Sequence, residues 1–351
     1  MLTYADLKKK CSEEIFVIGE AGVNHNGEVS LAKELVDVAV DAKCDAVKFQ
    51  TWITDRVYSK TLSLKPEYQI RATGQVDTEY ETIKKLELSF SVFEEIKSYC
   101  DHRGILFLST PDEVESARFL VGLGVPFLKT ASQDVTNVPF LTQLAHMGRP
   151  LIFSSGASYL DELTKAVEQI ARVNDELIIL HCVSSYPAPV DQMNLSFIKT
   201  LAKMYPNYII GFSDHAVGND AACAALAFGA RVFEKHFTLD RSLPGPDHQA
   251  SLEPQELTQY VNSLRTINRG LGDGRKTVMP CELNVRLAFR RFLVLAVDKK
   301  KGEVFTENDF FFKKTVDGIT PEQMSIIVGK KAGSHLEADA LMSWDMIDFS
   351  R

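Results

Sequence analysis

Short apolar runs alternate with amphipathic segments along most of the chain. Eight runs are rich in β-branched and aromatic residues and predict strands at residues 15–20, 46–51, 105–109, 127–130, 151–154, 177–182, 208–212 and 232–237. Between them, helical spacing of apolar positions predicts helices at residues 31–42, 89–100, 114–123, 139–146, 159–171, 195–204 and 217–229. Eight strand–helix units are typical of a (β/α)8 TIM barrel. A doubly wound open sheet is the alternative, but no G-x-G-x-x-G follows the first strand.

The composition changes after Gly270, where the chain reads LGDGRKTVMP. We therefore divide the chain into a barrel at residues 1–270, a linker at residues 271–289 and a small domain at residues 290–351. In this last part short apolar runs are separated by turn sequences such as KKG, VDG and AGS, which predicts a β-rich fold. So small a core is marginal alone, so we expect it to dock on the barrel or on another chain.

Composition and charge exclude several classes of protein. A formal net charge of -8 argues against nucleic acid as the main partner, because phosphate backbones need a basic face. The N-terminal MLTYADLKKK lacks the apolar core of a signal peptide, and no later run approaches a membrane span. We therefore expect a cytoplasmic protein that does not bind membranes. The six cysteines occur without a CxxC pair, which indicates reduced thiols.

In a barrel, the side chains that carry chemistry lie at the carboxyl ends of the strands. Here those ends and the loops after them carry Glu20, Lys48, Gln50, Lys129, Ser132, Asp134, Ser154, Ser184, Tyr186, Ser213, His215, Glu234, His236 and Asp247. His215 and His236, with Glu234 close by, predict a divalent-metal site. The alternative is that each histidine is only a satisfied polar residue near a helix cap. Lys48 and Lys129, if buried, predict a phosphate or carboxylate ligand, and if solvated they predict none.

Several motifs follow one another along the chain: GEAGVNHNG, KFQT, SSYPAP, GFSDH and EKHFTLD, the last followed by GPDH. In sequence and order they resemble the motifs of the sialic acid synthases, which condense phosphoenolpyruvate with an N-acetylated sugar. The tail from Arg290 resembles that family's C-terminal SAF, or antifreeze-like, domain. The resemblance implies a TIM barrel in a homodimer, with the SAF domain of one subunit lying over the active site of the other. It also implies Mn2+, or else Mg2+ or Co2+, on His215 and His236.

The resemblance also implies roles for the residues at the strand ends. Phosphoenolpyruvate would be held by Lys48, Lys129, Ser132, Ser154, Ser184 and Ser213. The sugar would be contacted by Gln50, Asp134, Tyr186, Asp247 and, from the SAF domain, Lys314. Glu20 or Glu234 would orient or deprotonate the water that adds to the reacting carbon. Asp134 replaces the family's usual glutamate and Lys314 its usual arginine, whose planar fork a lysine cannot reproduce.

The sequence leaves more than one possibility for the acceptor sugar and for the reaction class. N-acetylmannosamine is the default acceptor, and the bacillosamine-derived or altrose-type sugars of legionaminic and pseudaminic acids are the others. A Schiff-base aldolase with Lys129 or Lys235 as the amine is one rival, although alternation along the strand points Lys235 away from the barrel interior. A carbohydrate-binding protein without catalysis is the second. Residues 54–78 form a long loop or lid without an assigned role.

Overall fold

Eight parallel strands form one sheet that curls into a barrel. In the computed structural model, which describes residues 2–61, 69–70 and 78–350, the sheet order is β3-β2-β1-β8-β7-β6-β5-β4. The strands are β1 Phe16–Gly22, β2 Ala46–Thr51, β3 Leu106–Pro111, β4 Leu128–Thr130, β5 Leu151–Ser154, β6 Leu177–Cys182, β7 Ile209–Asp214 and β8 Val232–His236. The edge strands β3 and β4 lie in contact, which brings the two edges together. The predicted TIM barrel is confirmed, with strand ends within two residues of those expected.

The inward face of the strands is apolar at the start and polar at the end. Ile18 and Val232 belong to an apolar cluster that fills the lower barrel, together with Tyr4 and Leu7 of the N-terminal helix. Because side chains on one face recur every second residue, Ile18 is followed on the same face by Glu20. The same alternation places Glu234 and His236 above Val232. The fold therefore collects polar side chains at the carboxyl-end mouth of the barrel.

Helices cover the outside of the barrel and bury the opposite face of each strand. They span Tyr4–Glu13, Val29–Asp41, Thr54–Val57, Glu79–Leu86, Phe90–Arg103, Val114–Leu123, Val138–Ala145, Leu160–Ala171, Phe197–Met204, Asp220–Ala227 and Pro254–Leu271. Outward residues such as Val17, Phe233 and Phe237 pack with these helices in the largest apolar cluster. Within the described ranges, no helix has the length and apolar character needed to cross a membrane.

The C-terminal part forms a second compact unit, which begins at Asp273 where the first unit ends at Gly272. Its strands pair antiparallel, Arg291–Leu295 with Phe310–Lys314 and Lys331–Ala332 with Ile347–Asp348. Its core is apolar and consists of Leu293, Leu295, Phe305, Phe310, Ile319, Ile327, Ala332, Leu336, Met342 and Ile347. This is the small β-rich domain that the sequence predicts. The first part of this unit carries a short exposed 3-10 helix at Pro280–Glu282 and a short exposed α-helix at Leu283–Phe289.

Candidate active site

A cavity of about 360 Å³ opens at the carboxyl ends of the barrel strands. It brings together nearly all the side chains that the sequence predicts for a site: Glu20, Lys48, Gln50, Lys129, Ser132, Ser154, Ser184, Tyr186, Ser213, His215, Glu234, His236 and Asp247. These residues are far apart in the chain and meet only because the strands are parallel and closed into a barrel. The cavity is therefore the candidate active site.

Lys48 is buried and bound to a carboxylate. The strand register aligns Glu20 with Lys48 on one side and with His236 on the other. Lys48 Nζ lies 2.6 Å from Glu20 Oε2 and 3.9 Å from Glu234 Oε2, and it donates to Thr110 Oγ1 at 2.9 Å. Burial alone would lower the pKa of Lys48, but Glu20 and Glu234 outweigh it and raise that pKa. Lys48 is therefore a fixed positive charge in the cavity wall.

Lys129 is the second buried ammonium group of the cavity. It donates to Ser154 Oγ at 2.7 Å and to the Thr130 carbonyl at 2.9 Å, and it lies 3.5 Å from Glu234 Oε1. Ser213 Oγ donates to the same Glu234 oxygen at 3.2 Å. Burial lowers the pKa of Lys129, and Glu234 opposes that effect. The two lysines thus lie at the same mouth of the barrel, with Glu234 between them.

The two buried carboxylates have pKa values displaced in opposite directions. Burial raises the pKa of Glu20 to about 7, with Glu234 adding to the effect and Lys48 opposing it. For Glu234, burial is outweighed by Lys129 and Lys48, so its pKa is lowered. Gln50 Nε2 donates to Glu20 Oε1 at 3.1 Å and holds that carboxyl in place. Glu20 is therefore suited to proton transfer near neutral pH, whereas Glu234 is suited to neutralising the positive charge of the two lysines.

Two imidazoles face the same side of the cavity. The rings of His215 and His236 have centroids 5.5 Å apart, and the Tyr186 ring lies against both at 4.1 and 5.6 Å. His215 Nδ1 lies 2.8 Å from the Val183 carbonyl, and His236 Nδ1 lies 3.8 Å from Asp247 Oδ2. Burial, then the charges of His215 and Lys48, lower the pKa of His236 well below its usual value. His236 is therefore a neutral imidazole.

The two histidines fit a divalent cation through their donor chemistry. His236 Nδ1 is a buried nitrogen without a hydrogen-bond partner in the described part of the chain. A proton on His215 Nδ1 would be donated to the Val183 carbonyl, which leaves the lone pair of Nε2 free to bind a metal, the arrangement usual for a metal-binding histidine. Among the described residues, no group of three His, Cys, Asp or Glu side chains is arranged to hold a metal. An ion here would therefore take further ligands from water or substrate.

A thiol and two hydroxyls crowd a glycine at the ends of β5 and β6. Cys182 Sγ lies 3.6 Å from Ser132 Oγ and 3.7 Å from His215 Nδ1. Burial raises the pKa of the Cys182 thiol, but the attraction of His215 outweighs it, so the pKa is lowered. Gly156 N–H donates to Ser132 Oγ at 3.1 Å, and a Cβ on Gly156 would lie 2.2 Å from Ser184 Oγ. A larger residue here would displace the Ser184 and Ser132 hydroxyls.

The cavity wall also contains residues that were not predicted from the sequence, among them Thr110, Asp112 and Gln133. Thr110 accepts the hydrogen bond from Lys48. Burial, followed by the charge of Asp134, raises the pKa of Asp112 to about 7. Thr110 and Asp112 lie two residues apart in STPDE at the end of β3, so the strand-end rule that selects the other residues also selects them. Gln133 carries no comparable signal.

Two predicted site residues, Asp134 and Lys314, are not among the residues that line the cavity of the first unit. Asp134 ends a short 3-10 helix, is buried, and is absent from the described cavity wall, where its neighbour Gln133 takes part instead. Lys314 lies at the end of a strand in the second unit, exposed, with Nζ 4.4 Å from the Phe289 ring centroid. The sugar contacts predicted for these two residues therefore stay predictions.

Lys235, the rival amine, faces outward as strand alternation predicts. Its Nζ lies 3.2 Å from Asp214 Oδ2, donates to the Ala216 carbonyl and lies 5.7 Å from the Tyr260 ring centroid. Tyr260 belongs to the outer helix Pro254–Leu271. This lysine is therefore separated from the cavity, and Lys129 is the better placed of the two amines.

Comparison with protein-family models gives two matches. A model described as the NeuB family matches residues 35–276, and a model described as the SAF domain matches residues 290–348. The chain is 40% identical over 338 residues to the N,N'-diacetyllegionaminic acid synthase of Legionella pneumophila, covering 95% of this chain and 94% of the relative. It is 32% identical over 334 residues to the human N-acetylneuraminate-9-phosphate synthase, covering 95% and 92%.

A solved structure shares the fold. The crystal structure of an N-acetylneuraminic acid synthetase from Leptospira borgpetersenii in complex with citrate superposes with a TM-score of 0.69 at 34% identity. The match covers 79% of this chain and 92% of that one. The likeness therefore extends over most of both chains.

Proposed function

Because this chain belongs to the NeuB family and carries a C-terminal SAF domain, we propose that it condenses phosphoenolpyruvate with an N-acetylated amino sugar. The products are a nonulosonic acid and phosphate. The observation that carries the proposal is the pair of buried lysines, Lys48 and Lys129, that share a cavity with Glu20 and Glu234. Ammonium groups are donors that anionic ligands accept from, and phosphoenolpyruvate supplies both a phosphate and a carboxylate.

The lysines and hydroxyls would hold phosphoenolpyruvate in place. Lys129 with Ser154, and Lys48 with Thr110, each pair an ammonium with a hydroxyl at hydrogen-bond distance. The Ser132 and Ser184 hydroxyls flank Gly156 and add donors for a phosphate oxygen. Their contribution is positioning, since a correctly held enol carbon lies within reach of the sugar aldehyde.

Glu20 would act on the water. The enol carbon of phosphoenolpyruvate forms a bond to the aldehyde carbon of the open-chain sugar, and the aldehyde oxygen takes up a proton. Water then adds to C2 and loses a proton to a base, and the C2–O bond to phosphate breaks with phosphate leaving. Glu20, whose pKa burial raises to about 7, is the carboxylate suited to accept that proton. Glu234 stays ionised beside the lysines.

We further propose that His215 and His236 hold a divalent ion, Mn2+ by preference. Such an ion supplies Lewis-acid stabilisation of negative charge on the aldehyde oxygen. The unpartnered Nδ1 of His236 and the neutral state of its ring support the assignment. Tyr186, which packs against both rings, would contact the sugar from the same side.

The acceptor in this proposal is uncharged. Among the described residues of the cavity wall, Lys48 and Lys129 are the only lysines or arginines, whereas Glu79, Asp112 and Asp247 are acidic in addition to Glu20 and Glu234. These acidic side chains favour an acceptor without a phosphate group. The 40% identical relative is named for N,N'-diacetyllegionaminic acid, which favours a diacetamido hexose over the default N-acetylmannosamine.

Phosphate release tests the proposal against its two rivals. The chain is incubated with phosphoenolpyruvate and Mn2+ and with a panel of N-acetylated sugars, some of them phosphorylated. Release that depends on an unphosphorylated acetamido sugar is the expected result. If no phosphate is released with any sugar of the panel, the result favours a binding protein without catalysis. Borohydride trapping of a covalent adduct on Lys129 with pyruvate favours the Schiff-base aldolase.

We also propose a homodimer in which the SAF domain of one chain covers the cavity of the other. The segment before that domain exposes apolar side chains at Leu283, Leu287 and Phe289, and Lys314 is exposed at the end of its strand. Such side chains are covered in a stable assembly. Mixing Glu20→Gln chains with Lys314→Ala chains should restore about a quarter of wild-type activity, because mixed dimers contain one intact site. No gain on mixing would contradict a shared site.

A further inference from the structure

Two loops of the barrel mouth are joined by a buried histidine. One loop, residues 23–28, follows β1, and the other, residues 237–253, follows β8. His248, fully buried, has its Nε2 3.1 Å from Asn26 Oδ1 and its Nδ1 2.7 Å from Thr238 Oγ1. Because the Asn26 amide oxygen only accepts, Nε2 donates to it, and Nδ1 shares the second hydrogen bond with the Thr238 hydroxyl, which also lies 3.2 Å from the Asp240 carbonyl. Asn26, Thr238 and His248 are called the clasp below.

The clasp is closely packed and is reinforced by a second tie. A Cβ on Gly245 would lie 2.6 Å from His248 Cδ2 and 3.0 Å from Asn26 Oδ1, so only glycine lets the two loops approach. Beside it, Asn24 Nδ2 donates to Ser251 Oγ at 3.0 Å, and Ser251 Oγ donates to the Asp247 carbonyl at 2.7 Å. The backbone on both sides of Asp247 is therefore held to the loop after β1.

The side chain of Asp247, whose backbone is held in this way, faces the cavity. Asp247 Oδ2 lies 3.8 Å from His236 Nδ1. A Cβ on Gly22 would lie 3.6 Å from Asp247 Oδ2, 3.5 Å from Gln50 Nε2 and 3.3 Å from Glu20 Oε1, so these three side chains converge at one point. Among the described wall residues none belongs to the clasp. The clasp thus touches the loop that carries Asp247 without touching the cavity.

We propose that the clasp positions Asp247 for the acceptor sugar, so that Asn26, Thr238 and His248 are positioning residues for one substrate only. The inference rests on the proposed function. The lysines and serines that would hold phosphoenolpyruvate make no hydrogen bond to the clasp in the described chain. Loosening the clasp therefore weakens acceptor binding and leaves phosphoenolpyruvate binding intact.

The test compares Asn26→Leu with Asn26→Asp. Leucine accepts no hydrogen bond and also strains the φ of 51° at this position, whereas aspartate keeps the oxygen that His248 needs and tolerates that φ. For Asn26→Leu we expect the acceptor KM to rise about tenfold while the phosphoenolpyruvate KM stays within about twofold. Asn26→Asp should restore the acceptor KM. Thr238→Val removes the other hydrogen bond of His248. It should likewise raise the acceptor KM and leave the phosphoenolpyruvate KM within about twofold.

Asn268→Ala is the matched control. Asn268 also ties distant segments by one amide hydrogen bond, to the Glu13 carbonyl at 2.8 Å, but it lies far from the cavity. It should change neither KM. Equal changes in both KM values for Asn26→Leu, or no change in either, would overturn the proposal, as would failure of Asn26→Asp to rescue.

Amide hydrogen exchange gives a reading that does not depend on turnover. Asn26→Leu should speed exchange in residues 243–252 and leave exchange in β2 and β4 unchanged. Unchanged exchange in residues 243–252 would overturn the clasp even in an active enzyme. A wild-type chain that releases no phosphate with any acceptor would instead refute the proposed function, and the exchange result would still decide the clasp.

Discussion

Replacing Glu234 by glutamine tests the charge balance on which the cavity depends. Glu234 Oε1 lies 3.5 Å from Lys129 Nζ and Oε2 lies 3.9 Å from Lys48 Nζ, all three side chains being buried. Glutamine keeps the shape and removes the charge. Lys48 then retains Glu20 at 2.6 Å, but Lys129 is left with the neutral oxygens of Ser154 and Thr130. The change therefore isolates one buried ammonium group.

The distances set the size of the effect. At 3.5 Å, two unit charges attract by about 5 kcal/mol at an effective dielectric constant of about 20. Breaking a buried pair by removing one partner costs about 3–5 kcal/mol in practice. Lys129 can limit that loss by releasing its proton, because burial already lowers its pKa. We therefore expect Glu234→Gln to lower the free energy of unfolding by about 3 kcal/mol at neutral pH, and by less at alkaline pH.

Urea unfolding of a double-mutant cycle measures this effect. Lys129→Met combined with Glu234→Gln should regain most of the lost stability, since no unpaired charge is then left. Saturating phosphoenolpyruvate should stabilise Glu234→Gln, because the ligand supplies the missing negative charge. The control is Glu256→Gln, whose partner Arg241 and own carboxylate are about 40% exposed, and which should cost less than about 1 kcal/mol. Additive single changes, or wild-type stability for Glu234→Gln, would refute the reasoning.

Three further predictions concern the metal, the acceptor and pH. His236→Ala should weaken Mn2+ binding about a hundredfold by calorimetry, and unchanged binding would remove His236 from the site. Asp112→Asn should improve turnover of a phosphorylated acceptor relative to an unphosphorylated one, and an unchanged ratio would exclude Asp112 from acceptor recognition. His25 is buried, which lowers its pKa from 6.5 to about 4. The unfolded chain therefore binds the proton first as pH falls, and stability should drop between about pH 6.5 and 4 by up to about 3 kcal/mol. Burial lowers the pKa of His248 to about 4 as well, so His25→Phe should remove only the share of His25 from that slope, and an unchanged slope would contradict the assignment.

The strands and most of the site follow from a pattern of period two. In β8, Val232, Glu234 and His236 share the inward face, and the order apolar, acidic, imidazole locates the mouth of the barrel without further information. The same alternation correctly turns Lys235 outward, against Asp214. Local sequence suffices here because burial and strand geometry act on each residue in the same way.

Other features depend on distances that no local pattern contains. Glu20 and Glu234 are equivalent candidates for a base in the sequence. Burial raises the pKa of both, but Glu20 has one lysine beside it, whereas Glu234 has two lysines and His215, which together lower its pKa. Asp134 follows its strand at the expected place, but a 3-10 turn gives Gln133 its place in the cavity wall. The clasp joins two motifs more than two hundred residues apart, so neither motif indicates it alone.

The most direct test of the central claim follows the oxygen that bridges C2 and phosphorus in phosphoenolpyruvate. With a heavy oxygen isotope in that bridge, Mn2+ and an unphosphorylated acetamido sugar, the label should leave in phosphate, in an amount equal to the sugar acid formed. Label retained in the organic product, or no phosphate release with any acceptor, would contradict the account.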